Sequence, residues 1–313
     1  MTAISARNLS KYYGPIKALD KLNLEVPENV VFGFLGPNGA GKTTTVKLLT
    51  GFTHPTSGEA WVAGEKVGHG NLALKAITGF APDVPAFYDW MSGLELLQYI
   101  GELNRLSPKE IKLRSAEVLV LVELDKAAKR RVGGYSRGMR QRLGIAQALI
   151  NRPKVLFMDE PTSALDPIGR KEILELILRL RQNTTVFMST HILSDVERVC
   201  ELVGIVDKGR LLTVSTVSAL QKKYARSVFE MEFTENAAGF VEALKKVEWL
   251  ADVALDITNG KPLVHVRALE IEKARKELPH MIGESGLTLE RYELTLPSLE
   301  DIFMEIVKSE QRQ

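Results

Sequence analysis

The sequence predicts an α/β chain of two domains, and three observations carry that prediction. An almost wholly apolar run, Val30 to Leu35, stops at a glycine-rich loop that leads into a helix-forming stretch from Thr44 to about Thr50. A second apolar run, Lys154 to Met158, stops at two adjacent acids, Asp159 and Glu160. Beyond about residue 225 the pattern becomes strict alternation, with Phe229, Met231 and Phe233 set against Val228, Glu230 and Glu232. Short apolar strands that alternate with amphipathic helices belong to a largely parallel sheet covered on both faces, whereas alternation marks a sheet with one wet face.

Residues 1–225 therefore form the first domain, with the two apolar runs as central buried strands. From about residue 92 the pattern turns helical, and a helical subdomain extends to about residue 150. Ser107, Pro108 and Glu110 give one of its helices an N-cap, a first-turn proline and a capping-box acid. Residues 226–313 form a small α+β domain. Its first strand is followed by a helical stretch carrying Phe240, Leu244 and Val247, and Asn259-Gly260 marks a hairpin turn. The order is strand, helix, strand, strand, helix, strand through about residue 293, with a last helix from Ser298 to Lys308.

Composition limits the function. The 313 residues carry 41 Lys plus Arg and 39 Asp plus Glu, a formal charge of +2 that lacks the basic excess of a nucleic-acid-binding surface. A hydrophobic fraction of 45% and a charged fraction of 26% are those of a globular chain, not a disordered or fibrous one. No apolar stretch approaches a membrane span and Met1 to Tyr13 lacks a signal core, so a chain that neither spans a membrane nor is secreted is expected. A single cysteine, Cys200, excludes an internal disulfide framework and points to a reducing compartment.

The loop Gly36-Pro37-Asn38-Gly39-Ala40-Gly41-Lys42-Thr43 has the G-x-x-x-x-G-K-[ST] pattern, in which backbone N–H groups wrap nucleotide phosphates. Its glycines let the backbone approach anionic oxygens and adopt conformations a Cβ forbids. Lys42 is placed to reach the β and γ phosphates, Thr43 to offer its hydroxyl to Mg²⁺, and the helix from Thr44 aims its positive end at the same charge. At the end of the second strand Asp159 would meet Mg²⁺ through water. Glu160, beside the γ-phosphate, is the candidate general base. His191, after the strand-like run Thr185 to Met188, is positioned to link the γ-phosphate and the attacking water.

Tyr135 to Arg142 (YSRGMRQR), Phe157 to Pro161 (FMDEP), Ser163 to Asp166 (SALD) and Ser189 to His191 (STH) follow the glycine loop in that order. Over residues 1 to about 220 the chain resembles the ATP-binding cassette (ABC) ATPases. The resemblance implies a P-loop ABC ATPase domain, a RecA-like core with an antiparallel β part and a helical subdomain. It makes Tyr13 the aromatic that stacks on adenine, with Tyr12 as the alternative. Ser136 and Gly138, with Met139 in the same segment, correspond to the signature that contacts ATP held by the opposite subunit. Asp166 corresponds to the acid connecting the two sites of a dimer, and His191 to the switch histidine.

The signature departs from the family's LSGGQ, with Tyr135, Arg137 and Met139 in place of Leu, Gly and Gln. After Ile77 to Pro82, where the family places a glutamine that touches Mg²⁺ and faces the membrane partner, stands Asp83. It reads either as a direct Mg²⁺ ligand, since hard cations favour anionic oxygen, or as a solvated loop acid.

The ending Leu296 to Phe303 (LPSLEDIF) resembles the tail of ABC ATPases serving ABC-2 type exporters. Its domain reads as a regulatory or dimer-stabilising module or as a passive cap. Lys126, Lys129, Arg130 and Arg131 form the densest basic run, a solvated loop or a contact with lipid head groups or a permease. Cys200, His54, His69, His265 and His280 have no ligand spacing.

The implied function is ATP hydrolysis, with ATP and Mg²⁺, by a subunit that energises a separate transmembrane permease, an exporter in this reading. It would work as a homo- or heterodimer at the cytoplasmic face of the cell membrane, with no nucleic acid expected. The alternative is an ABC ATPase acting on ribosomes or nucleic acid, which the near-neutral charge disfavours.

Overall fold

The structure, a computed structural model, describes residues 1–68, 70–163, 165–223, 228–258, 260–295 and 298–310. Two compact units divide it, Met1–Val217 and Ser218–Gln313.

In the first unit, alternation builds an antiparallel sheet. Strands β1 (Thr2–Tyr13) and β2 (Ile16–Pro27) pair across Gly14, whose φ of +56° suits a residue without a Cβ. They bury Ile4, Ala6 and Leu9 against Leu19, Leu22 and Leu24. Next come β3 (Val31–Leu35), helix α1 (Lys42–Leu49) and the strands β4 (Ser57–Val62) and β5 (Glu65–Lys66). The sheet order is β2-β1-β4-β5. Helix α1 starts two residues before the stretch the sequence indicates, because Lys42 and Thr43 close its first turn.

The chain continues through α2 (Leu72–Ile77), β6 (Thr78–Ala81), α3 (Gly93–Leu103), α4 (Pro108–Leu121) and α5 (Arg137–Leu149). The Ser107–Glu110 capping box forms as read, and Ser92 with Glu95 makes a second one at α3. Then follow β7 (Val155–Asp159), α6 (Pro167–Leu180), β8 (Thr185–Thr190), α7 (Leu193–Val199), β9 (Leu202–Asp207) and β10 (Arg210–Thr216).

The six-stranded sheet has the order β10-β9-β3-β8-β7-β6. All its pairs are parallel except β9 with β10. Every residue of β3, β7 and β8 is buried, as two-sided apolar runs require. Phe187 of β8 lies 5.3 Å from Phe32, 5.4 Å from Phe34 and 5.6 Å from Phe157, ring centre to ring centre. Contacts of this kind contribute about 0.5–1.5 kcal/mol each beyond area burial and resist a register slip. The register they hold sets Leu35 opposite Thr190 and Asp159 opposite Ser189, so β3, β8 and β7 end level with one another.

The second unit opens with most of α8 (Val217–Lys223), followed by β11 (Val228–Phe233), α9 (Ala238–Leu244), β12 (Leu250–Thr258), β13 (Lys261–Ala268), α10 (Ile271–Ser285) and β14 (Leu289–Thr295). Its antiparallel sheet has the order β12-β13-β11-β14. Phe229, Met231 and Phe233 pack with Phe240, Leu244, Ala274 and Leu278, and Glu230 and Glu232 take the opposite face. The last helix, α11, covers Leu299–Glu310. Val247 lies beyond the end of α9, which stops at Leu244. The change in sequence character at 225/226 falls outside the described residues, as do Asn259 of the hairpin turn, His69, Ala164 and the Leu296-Pro297 part of the tail motif. Among the described residues no helix is long and apolar enough to cross a membrane.

Candidate functional site

The level ends of β3, β7 and β8 bring the glycine loop, the acid pair and the histidine to one edge of the sheet, where ligands of open parallel sheets bind. The loop glycines have different reasons to be glycine. A Cβ on Gly36 would lie 2.3 Å from the Val206 carbonyl oxygen, and one on Gly41 would lie 2.4 Å from that of Ala18. Gly39, at φ +81°, faces open space. Helix α1 starts from Gly41 with no side-chain cap, so its first-turn N–H groups are left for an anion. Pro37, Asn38 and Gly39 are exposed, Ala40 is buried, Thr43 is exposed and Thr44 half-buried.

The Lys42 side chain is only 6% exposed, and the three donors of its ammonium find three acceptors. Nζ donates to the Gly36 carbonyl at 2.7 Å and to that of Pro37 at 3.2 Å, and it lies 3.2 Å from Glu160 Oε1. The other carboxylate oxygen, Oε2, lies 2.9 Å from His191 Nδ1. Lys42, Glu160 and His191 therefore form one contiguous group in which Glu160 is central. Glu160 has φ +48°, in the left-handed region that costs an ordinary side chain about 1 kcal/mol or more.

Asp159, almost fully buried, accepts a hydrogen bond from the Ser189 hydroxyl. Exposed Asp83 accepts from the Ser163 hydroxyl at 2.6 Å. Asp159, Asp83 and Thr43 are hard oxygen donors and suit Mg²⁺. Among the described residues no cluster of three or more His, Cys, Asp or Glu could hold a metal alone. Such a donor set fits an ion that takes its remaining ligands from phosphate and water, the usual way Mg²⁺ binds.

Tyr13 is exposed at the end of β1, with Lys11 Nζ 5.0 Å from its ring centre. The half-buried Tyr12 is committed, since its hydroxyl donates to Asp20 at 3.0 Å and holds that carboxyl below the usual carboxylate range. Ser136 caps α5 and accepts from the Met139 N–H at 3.3 Å, and a Cβ on Gly138 would meet nothing within 4 Å. Among the described residues no hydrogen bond or ion pair joins Ser136, Gly138 or Met139 to the glycine loop. Tyr135 is buried, which pushes its phenol up, and its hydroxyl donates to the Ala127 carbonyl at 2.8 Å. The exposed Asp166 caps α6 by accepting from Gly169 N–H at 2.9 Å.

In the basic run, Lys126, Lys129 and Arg131 are exposed and Arg130 donates to the Gly134 carbonyl. Cys200 is buried and its thiol is held protonated, so it is inert.

An ABC transporter family model matches residues 19–163, and a model of the C-terminal domain of DrrA1-3-like ATP-binding proteins matches residues 216–307. The ABC transporter ATP-binding protein YxlF of Bacillus subtilis is 38% identical over 97% of this chain and 99% of its own length. This chain belongs to the ABC transporter ATP-binding proteins. It is accordingly a nucleotide-binding ATPase. Two further relatives align over nearly their whole length. The bacitracin transport ATP-binding protein BcrA of Bacillus licheniformis is 35% identical over 98% of this chain and 97% of its own. The daunorubicin resistance ATP-binding protein DrrA2 of Streptomyces coeruleorubidus is 33% identical over 97% and 94%. The solved ATP-binding subunit of an ABC transporter matches with a TM-score of 0.64 and 26% identity, over 71% of this chain and 93% of its own. A dimeric bacterial ABC transporter cassette matches with a TM-score of 0.62 and 26% identity, over 68% and 98%.

Several contacts of this ABC ATPase escape a reading of its motifs. Ser189 as the partner of Asp159, Ser163 as that of Asp83, and a Thr162–Asp195–Arg170 group join residues 25 to 80 positions apart. The only available signal is that Thr162 and Ser163 stand one residue, Pro161, beyond the acid pair and that Asp195 shortly follows His191.

Proposed function

We propose that this chain is the ATP-hydrolysing subunit of an exporter, bound at the cytoplasmic face of the cell membrane to a separate permease and working as one half of a cassette dimer. The observation that carries the reading is the position of Glu160, between Lys42 Nζ at 3.2 Å and His191 Nδ1 at 2.9 Å beside the uncapped start of α1. The names of two relatives matched over nearly their whole length, a bacitracin transport and a daunorubicin resistance ATP-binding protein, support an exporter.

In this reading Tyr13 stacks on adenine, while the loop Gly36 to Gly41 wraps the phosphates and the uncapped N–H groups of the first turn of α1 donate to them. Lys42 exchanges Glu160 for the β and γ phosphates, and the freed carboxylate accepts a proton from the attacking water. The water oxygen bonds to the γ-phosphorus as the bond to the β–γ bridging oxygen breaks, and ADP leaves. His191 holds the γ-phosphate and the carboxylate in register. Thr43, Asp83 and Asp159 would hold Mg²⁺, whose chemistry is to neutralise charge on the phosphate oxygens. Ser136, Gly138 and Met139 serve the nucleotide of the opposite subunit through the N-terminus of α5, and Asp166 connects the two sites.

Glu160→Gln should abolish turnover and leave an ATP-bound dimer, because the base is lost while the phosphate donors remain. Affinity purification of this variant with ATP from detergent-solubilised native membranes should recover a polytopic membrane protein, identified by mass spectrometry. Wild-type turnover in the variant would remove Glu160 from its role, and recovery of ribosomal proteins alone would overturn the transporter reading.

A further inference from the structure

Asp195, in the first turn of α7, is a buried carboxylate with no part in the scheme above. It is 1% exposed, and an unpaired charge at that depth costs several kcal/mol. Both of its oxygens are engaged by other elements. Oδ2 accepts from the Thr162 hydroxyl at 2.5 Å, and Oδ1 accepts from Arg170 Nε at 2.6 Å. Arg170 also donates to the Ser194 hydroxyl at 2.7 Å.

Each partner adjoins a residue of the candidate site. Thr162 lies in the turn after Glu160, closed by a hydrogen bond from the Ser163 N–H to the Glu160 carbonyl at 3.3 Å. Arg170 sits one turn after Asp166 and donates its backbone N–H to the Asp166 carbonyl at 2.9 Å. Asp195 itself donates its N–H to the Ile192 carbonyl, next to His191, at 3.2 Å. Glu160 at φ +48° needs its neighbours to hold it, since a strained backbone persists only where the surroundings over-determine it. On its N-terminal side the Glu160 N–H is anchored to the Ser189 carbonyl at 2.9 Å. On its C-terminal side two side chains anchor the turn: the exposed Ser163 ties to Asp83 at 2.6 Å, and Thr162 makes the buried tie, to Asp195.

We infer that Asp195 is a positioning residue for hydrolysis: through Thr162 and Arg170 it locks the Glu160 turn, the Asp166 end of α6 and the His191 loop into one unit. The inference rests on Glu160 acting as the base. A displacement of about 1 Å at such a group is enough to lower turnover about 100-fold, while nucleotide affinity is set by the separate glycine loop.

The test compares Thr162→Val, Asp195→Asn, Asp195→Glu and the Thr162→Val/Asp195→Asn double variant with wild type, with Glu160→Gln run in parallel. Thr162→Val keeps the shape of the side chain and removes only the hydroxyl, so it guards against loss of folding in the Asp195 variants. The expected result is a kcat about 10-fold lower in Thr162→Val with KM for ATP unchanged, and a larger drop in Asp195→Asn. The double variant should be no slower than Asp195→Asn alone, and Asp195→Glu should recover most of the activity that Asn loses. A kcat for Thr162→Val within twofold of wild type, or effects that multiply in the double variant, would overturn the inference. If Glu160→Gln keeps turnover, the base assignment fails instead, so the two failures are distinguishable.

Discussion

The tyrosine at the head of the signature segment should be energetically coupled to a glycine more than 40 positions earlier in the chain. A Cβ built on Gly93, the first residue of α3, would lie 2.6 Å from the Tyr135 hydroxyl oxygen but 3.4 Å from the ring carbon that carries it. Gly93→Ala must therefore push the hydroxyl away from the Ala127 carbonyl, which it now meets at 2.8 Å. Overpacking of this kind costs about 2 kcal/mol. Tyr135→Phe loses one hydrogen bond, but the Ala127 carbonyl keeps the Arg130 N–H at 2.9 Å, so its cost is about 1 kcal/mol. With the hydroxyl gone the new methyl group meets only ordinary contacts. The double variant should then be no less stable than Tyr135→Phe alone, giving a coupling of about 2 kcal/mol where independent sites would add. For a unit spanning Met1–Val217 each kcal/mol moves the melting temperature about 2–4 °C, so Gly93→Ala should fall by about 4–8 °C and the double variant by about 2–4 °C. Thermal unfolding of the four proteins, at fixed concentration and without nucleotide, measures the cycle. Losses that simply add would refute the argument that the glycine is there to admit the tyrosine.

Two further outcomes are expected. Asp83→Ala should raise the Mg²⁺ concentration needed for half-maximal ATPase activity, read from an Mg²⁺ titration at saturating ATP, and an unchanged requirement would make Asp83 a solvated loop acid held by Ser163. In the second unit the Glu235 carboxyl is held at about 2, below its ordinary 4.5, by hydrogen bonds from the Thr234 side chain and from the Thr288 N–H and hydroxyl. A lowered value stabilises the fold above pH 4.5, and the contribution is lost as pH falls from 4.5 toward 2. Glu235→Gln should therefore lose less melting temperature than wild type between pH 5.5 and pH 4, and parallel losses would exclude the carboxylate as a source of acid sensitivity.

Much of this protein lies in local patterns. The two-sided apolar runs ending at Leu35 and Met158 mark buried parallel strands because only a strand covered on both faces dispenses with polar residues. The glycine-loop pattern marks a phosphate site because close backbone approach to an anion excludes most side chains. The alternation at Phe229 to Phe233 fixes which face of β11 meets its helices, since a strand's side chains have a period of two. Caps such as Ser107 with Glu110 are equally local.

What tertiary structure alone decides is every contact between distant segments. The Phe187 cluster sets the strand register and so brings Lys42, Glu160 and His191 within hydrogen-bonding distance. Which face of Gly36 is blocked depends on a carbonyl from Val206, and the room for Tyr135 depends on Gly93. No motif singles out Asp195 in the sequence. Its burial and its two partners appear only once α6, α7 and the turn after β7 are packed together, because a buried charge draws its meaning from the groups that surround it.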